Sequence, residues 1–158
     1  MRQTFDRRSV LGIAVGSAAG AVLLSSVKPT YAAGTAYKAT LNNATEVPPN
    51  SGAGTGTAMV TYDPSTKMVT WQGSFAGLSG PATAAHIHGP ADAGKNAGVI
   101  VPLSQKDTPF TSPFKGSATL PDDKAAALAT ALSGGQAYVN IHTAANPGGE
   151  IRGQLAKA

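Results

Sequence analysis

Thr55-Gly56-Thr57-Ala58-Met59-Val60-Thr61-Tyr62-Asp63-Pro64-Ser65-Thr66-Lys67-Met68-Val69-Thr70-Trp71-Gln72-Gly73-Ser74-Phe75-Ala76 reads as two strands and a turn. In the second half Val69, Trp71 and Phe75 alternate with Met68, Thr70, Gln72 and Ser74, the period-two pattern of a half-buried strand. Tyr62-Asp63-Pro64-Ser65-Thr66 carries the turn residues that join this strand, Thr66–Ala76, to the one before it, Thr55–Tyr62. Outward from this hairpin, Gly and Pro punctuate the chain every ten or so residues. Further strands are expected at Ala36–Asn42, Ala82–His88, Gly98–Leu103, Phe114–Leu120, Gln136–His142 and Glu150–Leu155. Pro121–Leu132 alone breaks the pattern. Asp stands at the expected cap, helix formers follow, Gly134-Gly135 stops the run, and Leu128 and Leu132 share one stripe. The fold class is mainly β: a Greek-key or immunoglobulin-like antiparallel sandwich or barrel, with one short helix docked at an end.

The 158 residues suffice for one small domain behind a leader, with 42% hydrophobic and 13% charged residues, a balance that excludes a disordered chain. No cysteine is present, which removes disulfides, thiolate zinc, iron–sulfur clusters and lipoprotein anchoring, and confines any metal to nitrogen and oxygen ligands. The net charge of +4 is unevenly placed. Arg2, Arg7, Arg8 and Lys28 against Asp6 give residues 1–32 a net +3 and leave the rest at +1. No basic stripe remains to follow a phosphate backbone, so nucleic acid is not an expected partner. Residues 1–32 have a basic start, an uncharged stretch from Ser9 to Val27 and small residues around Ala32, the three-part pattern of a signal peptide cleaved after Ala32 or Ala33. Asp6-Arg7-Arg8-Ser9-Val10-Leu11-Gly12 resembles a twin-arginine signal, which implies export of an already folded protein to the periplasm or beyond, with no membrane attachment after cleavage. A retained anchor helix is the alternative for this stretch. The mature domain is then 33–158.

All three histidines fall in two segments of strand character, Ala85-His86-Ile87-His88-Gly89 and Val139-Asn140-Ile141-His142-Thr143. On a strand His86 and His88 point to one side and Ile87 to the other, so the pair forms a clamp. By the same rule His142 shares a face with Asn140 and Tyr138. Paired or facing strands would bring the three imidazoles together. Neutral imidazoles suit copper, zinc, iron or nickel, and the lack of a carboxylate cluster argues against calcium and magnesium. Read alone, each histidine could equally serve hydrogen bonding in the fold.

Four segments carry a family resemblance: Leu41-Asn42-Asn43-Ala44-Thr45-Glu46-Val47-Pro48-Pro49, Ala85-His86-Ile87-His88-Gly89-Pro90-Ala91, Tyr138-Val139-Asn140-Ile141-His142-Thr143 and Pro147-Gly148-Gly149-Glu150-Ile151-Arg152-Gly153-Gln154-Leu155. In this order they resemble the CHRD (chordin) domain, over nearly all of residues 36–155. The resemblance implies a secreted or surface β-sandwich, found in animal chordins, which bind bone morphogenetic proteins, and in bacterial exported proteins. A fainter resemblance is to copper–zinc superoxide dismutase, whose copper is held by a His-x-His strand and a later histidine, with an arginine nearby. His86, His88, His142 and Arg152 stand in that order, without a bridging histidine or a zinc subsite.

The expected function is copper binding or handling by His86, His88 and His142, with zinc as the alternative ion. The rivals are a metal-free structural or protein-binding module and a dismutase-like copper redox enzyme. Glu150 is a candidate fourth ligand or a partner fixing an imidazole tautomer, Asn140 a hydrogen-bonding neighbour, and Arg152 an anion guide or the ion-pair partner of Glu150 or Asp92. Glu46-Val47-Pro48-Pro49 is expected to shape an edge loop.

Overall fold

The computed structural model describes residues 34–105 and 108–158; the expected signal segment 1–32 lies outside them. Strands run at β1 Thr35–Asn42, β2 Thr55–Asp63, β3 Met68–Ala76, β4 Ala82–His88, β5 Val99–Pro102, β6 Phe114–Thr119, β7 Tyr138–Thr143, β8 Ile151–Gln154 and β9 Ala156–Lys157. The helix α1, Asp122–Ser133, lies between β6 and β7. The strands form one antiparallel sheet in the order β5-β4-β7-β8-β1-β2-β3-β6, with β9 beside β1. The opening hairpin is β2–β3, paired from Thr55↔Ala76 to Asp63↔Met68. Asp63 starts its turn by accepting hydrogen bonds from the backbone N–H and hydroxyl of Ser65 at 2.8 and 2.6 Å. Lys67, with φ +56, closes the turn, which is why β3 begins two residues later than the alternation suggests.

The sheet curls so that one face is interior. Leu41, Val60, Val69, Ile87, Val101, Val139, Ile141 and Ile151 are fully buried on it, and alternation sends their neighbours outward. Two glycines make room for aromatic rings on this face. Phe114 lies across its partner Gly73, and Trp71 across Gly116, with Trp71 Nε1 donating to the Leu103 carbonyl at 3.1 Å. The residues after β5 stay along β4 through Leu103 N–H to Ala85 O, 2.8 Å, and Phe110 N–H to Ala82 O, 3.2 Å.

The helix covers one end, with Ala125, Leu128, Ala131 and Leu132 buried and the Ala125 carbonyl accepting from Tyr62 Oη at 3.1 Å. Gly134 caps it and Gly135, φ +67, turns the chain, as expected. The N-terminal expectation needs correction: Pro121 is the cap and makes no side-chain bond. Asp122 and Asp123 instead occupy the first turn, where their charge suits the helix dipole, and Asp122 pairs with Lys67.

Candidate metal centre

Strands β4 and β7 are antiparallel neighbours, with Ala84 opposite His142, His86 opposite Asn140 and His88 opposite Tyr138. This register puts all three histidines on the outer face, while Ile87, Val139 and Ile141 hold the same strands down from the core side. Each imidazole presents one ring nitrogen such that the three lie within 4.8 Å of one another. His86 Nδ1 and His142 Nε2 are 3.1 Å apart. Two ligands bound at about 2.0–2.1 Å to one ion in tetrahedral geometry stand about 3.3 Å apart, so this pair is already close to ligand spacing.

The tautomers follow from the partners, because a carbonyl oxygen only accepts. His142 Nδ1 donates to the Pro147 carbonyl at 3.0 Å, and His88 Nδ1 to the Ala97 carbonyl at 3.0 Å. Both residues therefore turn a bare Nε2 lone pair away from these anchors. His88 Nε2 is buried and makes no hydrogen bond, an unusual state for a buried ring nitrogen. His86 donates its Nδ1 proton to His142 Nε2.

Burial favours the neutral form of all three rings. His86 is lowered to about 4, by burial first and then by the fields of His142 and His88. His88 and His142 are also lowered, by burial first, while their carbonyl partners act in the opposite direction. Neutral imidazole is the form that ligates a metal. The donor set, three neutral imidazoles with two held from behind by backbone carbonyls, fits a borderline transition ion.

Beside the histidines, the outer-face residues Tyr138, Asn140 and Arg152 are also buried. His88 stacks on Tyr138, centroids 5.0 Å apart and 6° from parallel, and the Arg152 guanidinium lies 3.4 Å from the Tyr138 ring centre. Arg152 is 1% exposed. Its expected ion pair is absent: it donates to Asn96 Oδ1, Lys95 O and Gln154 Oε1 at 3.1, 2.8 and 3.2 Å. Asp92 pairs with Lys95 instead. Glu150 faces away from both Arg152 and the imidazoles. Its carboxylate accepts from Ser79 N and Oγ and from Thr143 Oγ1, all at 2.6 Å, and from Asn146 Nδ2 at 3.2 Å. Burial raises its pKa, but these donors outweigh the effect and leave it below the usual value. Glu150 ties the β7–β8 turn together, and so holds the Pro147 carbonyl that orients His142.

Asn140 lies between His86 and Arg152 in the cross-strand row. It meets a residue that was expected only to shape a loop: Glu46, 4% exposed, accepts from Asn140 Nδ2 at 3.4 Å. A carboxylate beside two prolines gives no sequence signal of burial. The Ala97 and Pro147 carbonyls were equally silent, because backbone atoms carry no residue code, whereas strand parity had already put Tyr138 on the face of His142.

The family model of the CHRD domain matches residues 37–155. The chain belongs to the CHRD domain family. No curated protein and no solved structure matches it. The four segments of the resemblance converge in this CHRD domain: the first supplies Glu46, the second His86 and His88, the third Tyr138, Asn140 and His142, and the fourth Glu150 and Arg152.

Proposed function

We propose that this CHRD domain binds one transition-metal ion, copper before zinc, through His86 Nδ1, His88 Nε2 and His142 Nε2. The observation that carries the reading is the buried, unpartnered Nε2 of His88 beside two other imidazole nitrogens at ligand spacing. An ion there would replace the proton that His86 shares with His142, and would supply a partner for the lone pair of His88. Imidazole nitrogen without thiolate favours copper over softer-ligand alternatives, and copper stands above zinc in the order of divalent affinities. The twin-arginine-like segment Asp6–Gly12 supports a role outside the cytoplasm, in the periplasm or secreted, as a copper-binding or copper-handling protein. A metal-free protein-binding module is the second reading, favoured by family membership. A dismutase-like redox activity is the third and rests on the order of the histidines alone.

The test is titration of residues 33–158 with Cu(II) and Zn(II), with bound metal counted by elemental analysis, beside His86→Ala, His88→Ala and His142→Ala. One equivalent is expected in the wild type, with affinity reduced at least a hundredfold in each variant. Equal and weak binding by all four proteins would overturn the reading and leave the protein-binding module.

A further inference from the structure

Among the described residues three buried polar side-chain atoms lack a hydrogen-bond partner, His88 Nε2, Asn140 Oδ1 and Glu46 Oε1, and the last two stand together beside Gly149. The metal reading accounts for the first. The other two are both acceptors and belong to side chains that are 3% and 4% exposed. The Asn140 amide is fixed by its neighbour, since its Nδ2 faces the Glu46 carboxylate and the reverse orientation would oppose two acceptors. The Asn140 amide, with both its Nδ2 and its Oδ1, and Glu46 Oε1 lie within 2.7 Å of the point where a Cβ on Gly149 would stand. Gly149, φ +134, is thus the residue that lets both acceptors stand there. Asn140 lies directly opposite His86 and two residues before His142 on the same face, so the acceptor pair adjoins the imidazole group.

Unsatisfied buried acceptors destabilise a fold, and a carboxylate more than an amide. Burial raises the pKa of Glu46 against the opposing pull of the Val47 N–H and of Arg152, and Arg152 acts only through space, because its own hydrogen bonds go to Asn96, Lys95 and Gln154. The missing complement is a hydrogen-bond donor. We propose that Glu46 and Asn140 form an acceptor subsite beside the three histidines that receives a small uncharged donor, water or a molecule of similar size such as hydrogen peroxide, and repels small anions. The subsite rests on the metal reading for its role as the neighbour of an exogenous ligand. Its acceptor character does not.

Two readouts test it. In the metal-free protein Glu46→Gln replaces one acceptor by an amide donor able to reach Asn140 Oδ1, so its melting temperature is expected to rise by several degrees. Asn140→Asp, which removes the one donor and adds a carboxylate, is expected to lower it. In the Cu(II)-loaded protein at pH 8, azide binding followed by its charge-transfer absorption is expected to tighten at least tenfold in Glu46→Gln at unchanged copper content. A lower melting temperature for metal-free Glu46→Gln, or azide affinity unchanged at full copper loading, would overturn the proposal. Failure of the wild type to hold copper would overturn the metal reading instead, and the metal-free comparison would still decide the acceptor subsite.

Discussion

At the scale of single residues, the proposed centre depends on imidazoles whose neutral form burial favours. His86 takes up a proton near pH 4 in the folded protein and near the ordinary 6.5 once unfolded. Between these values the unfolded chain binds more protons, so the contribution of His86 to stability is complete above pH 6.5 and is lost as pH falls toward 4. His88 and His142 shift the same way and add to the loss. The urea midpoint of the metal-free protein is therefore expected to fall between pH 7 and pH 5, and to fall less in His86→Asn. A midpoint flat across this range would contradict the shifts. The three histidines and Asn140 were legible from strand parity alone. Glu46 was not, because its burial depends on loops whose paths the local sequence leaves open. The partners of Glu150 and Arg152 were misread for a related reason: i,i+2 parity holds along a strand, and Glu150 precedes β8 in the turn.

At the scale of elements, β4 and β7 work as a rigid plate because their opposite face is packed with Ile87, Val139 and Ile141. The neighbouring β8 is held against β1 at a close approach that only glycine permits. A Cβ on Gly153 would stand well inside contact distance of the Thr40 carbonyl oxygen, a backbone atom that cannot rotate aside. Gly153→Ala is expected to cost about 2 kcal/mol or more, in the range of overpacked cores, measured by denaturant unfolding. A cost below about 0.5 kcal/mol would mean that the two strands are free to separate. Most strand positions could be read from period-two alternation, and the helix from its formers and its glycine stop. Its cap could not, since Pro121 is set by φ and Asp122 is drawn to Lys67 from another part of the chain.

For the whole molecule, the antiparallel class was legible and the pairing order was not. β4 pairs with β7 across fifty or more residues, and β1 lies between β2 and β8; alternation tells each strand which face to bury but not which neighbour to take. Since the centre belongs to the folded state only, metal is expected to stabilise the entire domain by mass action. At a free-ion concentration a hundred times Kd the gain is about 2.7 kcal/mol, visible as a higher melting temperature that disappears when His86, His88 and His142 are all replaced by Ala. An equal rise in the triple variant would place the ion elsewhere. The central claim is that one ion sits on three imidazoles. Its most direct test is the X-ray absorption spectrum at the copper edge of the stoichiometrically loaded protein. Three imidazole nitrogens at about 2.0 Å, with their outer-ring scattering, are expected; a shell of oxygen donors with one imidazole or none would contradict the claim.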